Sequence, residues 1–137
     1  MKDHAALLIR QNNQFLFVKR SKSKRIMPGL WAFPSGTKEE KESIEETAKR
    51  EAFEELDVKI EIEKILAVHE VKEVGARLHF IVVKISGGNL KIKEENEIEE
   101  LAWWTFKEFF ERYSNKEIGN GLIYLRKNPE LWREYKD

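Results

Sequence analysis

The chain has no cysteine among its 137 residues, which excludes a framework of disulfide bonds. Its longest apolar runs, such as residues 5–9 and 80–83, fall far short of a membrane-spanning helix, so no membrane partner is expected. The chain start lacks the basic and apolar regions of a signal peptide, and a cytoplasmic location is predicted. The formal net charge is zero, so no stable nucleic-acid partner is expected.

The length and composition are typical of one globular domain. The chain is 41% hydrophobic and 36% charged, which is too apolar for a disordered segment. It is also long enough to bury a sizeable core without disulfide staples. We therefore expect a single domain over residues 1–137.

Short segments of strand-forming residues lie on both sides of one well-marked helix. The predicted strands are residues 5–9, 15–19, 30–33, 58–69 and 78–85. Turn-prone residues 11–14 separate the first two, which is typical of a β-hairpin. Residues 34–36 contain proline and glycine and are expected to end the third strand.

Helical spacing appears in three places. The predicted helices are residues 43–56, 105–113 and 117–127, the last of which ends near Pro129. In the first helix, Ile44, Ala48 and Ala52 recur at every fourth position, as one buried face requires. Ser43 and Glu46 have the spacing of a capping box, so this helix has a defined beginning.

Three glutamates of the first helix share one edge. At about 100° of rotation per residue, Glu51, Glu54 and Glu55 fall within an arc of roughly 100°. Like charges at this spacing repel each other, and a divalent cation is a natural counter-ion. Because hard ions such as Mg²⁺ bind carboxylates together with substrate phosphates, the edge indicates phosphate chemistry. Arg50 lies four residues before Glu54 and can hold it in one orientation.

The same segment matches a known motif in residue type and spacing. The matching positions are Gly36, Glu42, Arg50, Glu51, Ala52, Glu54, Glu55 and Val58, preceded by Trp31, Phe33 and Pro34. Residues 36–58 thus resemble the Nudix box of MutT-like Nudix hydrolases. Asp57 stands where the family usually has a helix-ending glycine, and Ser35 where a glycine pair is common. Neither departure removes an expected metal ligand.

The resemblance implies a fold and a reaction. The expected fold class is α+β, the Nudix fold, with a mixed β-sheet sandwiched between helices. The expected reaction is hydrolysis of a pyrophosphate linkage in a nucleoside diphosphate-X substrate, with Mg²⁺ or Mn²⁺ as cofactor. The implied metal ligands are Glu51, Glu54, Glu55 and the backbone carbonyl of Gly36. Glu42 either supports this site from behind the ligands or stabilises the helix start through its charge.

The sequence leaves more than one candidate for the residue that removes the proton from the attacking water. The family uses either a box glutamate or a loop glutamate, so Glu51 competes here with Glu97 and Glu100 of the acidic residues 94–100. The alternative for that segment is a solvated acidic turn. Arg50 is expected to belong to the catalytic set because it orders Glu54.

Three residues outside the box are candidates for binding the substrate. Trp31 and Phe33 alternate along one strand, where they either stack on a nucleobase or belong to the core. Arg20 belongs to a basic stretch, residues 19–25, that either attracts phosphates or is a solvated loop.

The substrate is predicted by elimination, since family members specialise outside the box. ADP-ribose-type members carry a proline beyond the box, and dinucleoside polyphosphate hydrolases carry a tyrosine there; residues 59–112 contain neither. A MutT-like nucleoside triphosphate pyrophosphohydrolase is therefore favoured over those two. Two further hypotheses are a non-catalytic nucleotide-binding domain and an RNA-cap hydrolase, and a homodimer stays open.

Overall fold

The structure is a computed structural model that describes residues 1–25 and 27–136. Its strands are β1 (Lys2–Gln11), β2 (Gln14–Arg20), β3 (Trp31–Ala32), β4 (Ser35–Thr37), β5 (Val58–Val71), β6 (Ala76–Gly88) and β7 (Ile98–Trp104). Its α-helices are α1 (Ile44–Leu56), α2 (Phe106–Arg112) and α3 (Asn120–Lys127). Within the described residues, no helix is long and apolar enough to cross a membrane.

The strands form one mixed sheet in the order β3-β2-β1-β6-β5. β1 and β6 run parallel in its centre, and β5 pairs with β6 in the antiparallel direction. The predicted hairpin is confirmed, because β1 and β2 pair in the antiparallel direction around a short turn. β4 adds to β1 and β7 adds to β2, which places the segments before and after α1 on the same sheet.

Each face of the sheet is covered by helices. α1 packs Ala48, Ala52 and Leu56 against one face, as its four-residue spacing predicts. α2 and α3 cover the opposite face, where Phe106 and Phe109 pack against β2. This arrangement confirms the α+β class and the predicted sandwich of a mixed sheet between helices.

The third strand ends at Ala32, before residues 34–36, as predicted. The sheet itself continues, because the Pro34 carbonyl accepts a hydrogen bond from Leu7 N at 2.8 Å and the next residues form β4, a strand that was not predicted. One predicted boundary is wrong. The last helix begins at Asn120 rather than at residue 117. Residues before it bridge to β3 instead, since Gly119 N donates to Trp31 O at 2.9 Å.

Candidate active site

Helix α1 holds the acidic edge in a fixed register because both of its ends are capped. At the start, the predicted capping box is present: Glu46 N donates to Ser43 Oγ at 3.0 Å, and Ser43 N donates to Glu46 Oε1 at 2.8 Å. At the end, Asp57 adopts the left-handed conformation with φ 59°. β5 can therefore begin directly at Val58.

The three glutamates of the edge differ in burial. The Glu54 side chain is 49% exposed, whereas that of Glu51 is 14% exposed. Glu55 is 8% exposed as a residue and lies at the junction of α1 with the sheet. The three carboxylates therefore run from the solvent-exposed surface into the protein interior. This gradient of burial is expected where carboxylates line a cleft.

Arg50 binds several of the predicted site residues at once. Its Nη1 donates to Glu51 Oε1 at 2.8 Å and to Glu54 Oε2 at 3.3 Å, so the predicted pairing with Glu54 is present. Its Nη2 also donates to Thr37 O in β4 at 3.0 Å. One guanidinium thereby ties the helix edge to the neighbouring strand.

Glu42 is the strongest partner of this arginine. Arg50 Nε donates to Glu42 Oε2 at 2.6 Å and Nη2 donates to Oε1 at 3.0 Å, which is a two-point contact. Thr47 Oγ1 also donates to Glu42, at 2.9 Å. These contacts, the one from Arg50 above all, lower the pKa of Glu42 to about 2. Glu42 thus orients the arginine that holds Glu51 and Glu54.

The carboxyl group of Glu55 is buried and lies near other carboxylates, which disfavours its ionised form. The pKa of Glu55 is raised from 4.5 to about 9, chiefly because burial disfavours the charged form. The carboxylates of Glu51, Glu94 and Glu97 add to this rise. Among the described residues, the buried Glu55 Oε2 atom has no hydrogen-bond partner. A buried acceptor of this kind is costly unless something else binds it.

Burial also raises the pKa of Glu51, and Arg50 opposes that rise. Gly36 of β4 lies directly against this side chain: a Cβ atom at Gly36 would be 2.0 Å from Glu51 Cδ. A side chain there would push the Glu51 carboxylate out of its place, so the motif glycine is explained by close approach rather than by a special backbone angle.

Glu94 and Glu97 of the acidic segment lie near the deep end of this edge. The carboxylates of Glu94 and Glu97 are both near enough to raise the pKa of Glu55. Ser21 N donates to Glu97 O at 2.9 Å, and the Lys24 ammonium pairs with the Glu97 carboxylate. The sequence did not single out Glu94, because composition alone cannot show which residues of an acidic segment point toward a helix.

Glu100 lies on the other side of the sheet. It is paired with Lys19 of β2, and Lys19 is paired with Trp31 of β3. Cross-strand partners share a face, and this is the face covered by α2. Glu100 is therefore separated from the α1 carboxylates and lines a cleft of about 320 Å³ that also contains Trp31 and Tyr113.

The remaining candidate substrate residues occupy different surroundings. Phe33 is 5% exposed and stacks on Phe17 at a centroid distance of 5.3 Å, so it belongs to the core. Trp31 is 6% exposed and is both core and cleft wall. Arg20 is the last residue of β2. It pairs with Ile98, the first residue of β7, which belongs to the acidic segment of residues 94–100.

The carboxylates suit a hard divalent cation, although they are not preassembled around one. Within residues 1–25 and 27–136, no group of three or more His, Cys, Asp or Glu side chains has a geometry that holds a metal. Arg50 acts instead as the counter-ion of Glu51 and Glu54. The oxygen donors, the unpaired Glu55 Oε2 and the close approach of Gly36 fit a metal with oxygen ligands.

Comparisons with known proteins agree with this geometry. Residues 2–124 match the model of the NUDIX domain family. Nudix hydrolase 2 of Arabidopsis thaliana is 31% identical over 107 residues, which are 76% of this chain and 38% of the relative. The 8-oxo-dGDP phosphatase NUDT18 of Homo sapiens is 32% identical over 101 residues, 72% of this chain and 30% of the relative. The chain thus spans less than half the length of these curated relatives.

The fold comparison gives the same result. A Nudix hydrolase from Nitrosomonas europaea superposes with a TM-score of 0.75 at 18% identity, covering 94% of this chain and 88% of the other. At this identity the likeness establishes the fold alone. Together with the match of residues 2–124, it shows that the chain belongs to the Nudix hydrolase family.

Proposed function

We propose that the protein hydrolyses the pyrophosphate linkage of a nucleoside triphosphate with the help of a divalent cation. The observation that carries the proposal is the buried Glu55 Oε2 atom, which has no hydrogen-bond partner among the described residues. It lies at the inner end of an acidic edge, where a cation and the phosphates that accompany it would satisfy it. The proposal treats residues 1–137 as one domain, acting in the cytoplasm as the sequence predicts.

Glu51, Glu54, Glu55 and the Gly36 carbonyl would hold the metal. When bound, Mg²⁺ or Mn²⁺ neutralises phosphate oxygens and lowers the pKa of the attacking water. Arg50 sets the orientation of Glu51 and Glu54, and Glu42 holds Arg50 from behind. The carboxyl of Glu55 must give up its proton before it can act as an anionic ligand, because its pKa is raised to about 9.

Glu97 is the proposed acceptor of the proton from water. Its side chain is 32% exposed and lies close enough to Glu55 to influence its pKa. Glu51 is the alternative, but its carboxyl is less exposed, at 14%; both carboxylates have a cationic partner, Lys24 for Glu97 and Arg50 for Glu51. Glu100 is not retained in this role, since its strand position places it on the opposite face of the sheet.

The substrate is the less specific part of the proposal. The human relative is named as a phosphatase of a nucleoside diphosphate, 8-oxo-dGDP, which supports a nucleoside phosphate substrate. The cleft beside Trp31 offers space for the base, and Arg20 follows Lys19 of that cleft and pairs with Ile98 at the start of β7. ADP-ribose and dinucleoside polyphosphates are the alternatives within the same reaction class. Binding without turnover is the alternative outside it.

The experiment measures product formation by chromatography from nucleoside triphosphates, ADP-ribose and a dinucleoside polyphosphate, with Mg²⁺, with Mn²⁺ and with chelator. We expect chelator to abolish activity, and Glu54→Gln and Glu55→Gln each to lower kcat by about 100-fold or more. Glu45→Gln is the matched control, because Glu45 is exposed in the first turn of the same helix. Undiminished turnover in the two site variants would refute the assignment. Tight nucleotide binding without any turnover would favour the binding domain.

A further inference from the structure

The cleft on the α2 face of the sheet, where the proposed function has space for a base, contains polar groups that have not yet been given a role. Across three neighbouring strands, Trp31, Lys19 and Glu100 form one cross-strand row. Tyr113, which follows α2, lies 5.3 Å from Trp31 between ring centroids and forms the adjoining wall with Lys116. The space between them is about 320 Å³, which is within the range of small-molecule sites.

The polar groups of this cleft are available for a ligand. Within the described part of the chain, the Glu100 carboxylate makes no hydrogen bond or ion pair, although Lys19 is its direct cross-strand partner. Glu117, the second carboxylate of the cleft, accepts hydrogen bonds from Ser114 N and Oγ at 2.9 and 3.2 Å. Glu117 is therefore occupied in its own turn, whereas Glu100 is not.

We propose that this cleft binds the nucleobase and that Glu100 selects guanine by accepting hydrogen bonds from its N1–H and 2-amino groups. The proposal rests on the proposed function, since it names the substrate class of the same enzyme. A carboxylate accepts hydrogen bonds and cannot donate them when ionised. Guanine offers two adjacent donors to it, while adenine and cytosine offer one amino group each. Uracil places carbonyl oxygens on both sides of its single N–H, and these oxygens repel a carboxylate.

The remaining groups fit the same base. Guanine carries acceptors at O6 and N7, which the ammonium groups of Lys19 and Lys116 can satisfy. Tyr113 supplies aromatic surface for stacking, to which Trp31, 6% exposed, adds only a small part of its ring. Glu100 follows Glu97 by three residues, which span at most about 10 Å of chain, so a nucleotide whose base lies in the cleft would have to pass the start of β7 to bring its phosphates to the acidic edge.

The first test compares hydrolysis of GTP, ITP, ATP, CTP and UTP by the full chain. We expect GTP to be favoured in kcat/KM by about 10- to 100-fold, with ITP intermediate because it lacks the 2-amino group. Glu100→Gln should remove this preference mainly through KM. Glu95→Gln, an exposed neighbour in the same acidic segment, is the matched control and should retain it. A preference that Glu100→Gln leaves intact overturns the proposal, as does a uniform loss of kcat for all five nucleotides, which would mark Glu100 as a general base.

A second measurement separates this inference from the proposed reaction. Calorimetric titration of GMP, AMP, CMP and UMP in chelator reports base binding without turnover. Tighter binding of GMP that weakens by about 10-fold or more in Glu100→Gln supports the cleft even if no triphosphate is hydrolysed. Equal affinity for the four monophosphates, or GMP binding that is unchanged in Glu100→Gln, overturns it even if the enzyme is active.

Discussion

Gly36 and Glu51 are in direct contact across the junction of β4 and α1. A methyl group at Gly36 would lie 2.0 Å from Glu51 Cδ and 2.1 Å from its Oε1, distances that real side chains do not reach. The strand therefore acts as a wall that fixes the carboxylate on one side, while Arg50 holds it on the other at 2.8 Å. The position of Glu51 depends on the absence of a side chain in β4.

Gly36→Ala is expected to displace Glu51 and lower kcat by about 10- to 100-fold, because a supporting contact of a metal ligand is lost. Affinity for Mn²⁺, measured by calorimetry, should fall with it. Gly87→Ala is the matched control: its new Cβ would have Lys59 Cβ at 3.8 Å as its nearest neighbour, an ordinary contact. Wild-type kcat and metal affinity in Gly36→Ala would show that Glu51 is not a ligand.

Arg50→Lys tests the guanidinium as an organiser of the acidic edge. An ammonium cannot reproduce the two-point contact with Glu42 and still reach both Glu51 and Thr37 O. We expect kcat to fall by about 10- to 100-fold and the midpoint of thermal unfolding in chelator to fall as well. Lys49→Arg exchanges the same residue types at the exposed preceding position and should change neither. Full activity in Arg50→Lys would mean that its positive charge alone is required.

The parts of the site that depend on local spacing could be predicted from the sequence. The capping box of Ser43 and the shared edge of Glu51, Glu54 and Glu55 follow from helix geometry within one short segment. The strand β4 could not be predicted, because the strand it pairs with in the described part of the chain, β1, is some thirty residues away in the sequence, as in the pairing of Ala5 with Gly36.

The face of the sheet on which Glu100 lies could not be predicted from the sequence either. The register between β2 and β7 shifts at Lys19 and Arg20, so simple alternation does not relate Glu97 to Glu100. Trp31 and Phe33 share one face as their spacing predicts, yet that spacing cannot show which of the two also borders a cleft. Tertiary contacts decide both questions.

The stability of the metal-free protein should fall as the pH rises. Glu55 has a pKa of about 9 in the folded state against an ordinary value of 4.5, so the folded state binds the extra proton between these values. Its stabilising contribution is fully present below about 4.5 and is lost as the pH rises toward 9. The slope is at most about 1.4 kcal/mol per pH unit for one whole proton.

This dependence is measured by denaturant unfolding in chelator from about pH 6 to about pH 9, a window in which Glu42, with its pKa of about 2, does not titrate. Glu55→Gln should flatten the curve, because an amide has no proton to lose. Saturating Mg²⁺ should reverse the trend in the wild type, since metal binding to an ionised carboxylate strengthens as the pH rises. Equal slopes for wild type and Glu55→Gln in chelator would contradict the assignment of the buried proton to Glu55.

The left-handed residue at the end of α1 offers a stabilising substitution that leaves the site intact. Asp57 has φ 59°, and its carboxylate is 3.8 Å from both Lys91 and Lys93, ion pairs that contribute little at a solvent-accessible position. Asp57→Gly should raise the free energy of unfolding by about 0.5–1 kcal/mol, since glycine adopts this conformation without the steric cost of a Cβ. Asp57→Asn keeps a side chain that tolerates the conformation and should change little, so it controls for the lost charge. Asp57→Ala should destabilise by about 1 kcal/mol, because alanine has neither advantage. Denaturant unfolding of the three variants therefore orders them Gly, Asn, Ala, and an alanine variant as stable as the wild type would show that the backbone conformation at Asp57 does not limit stability.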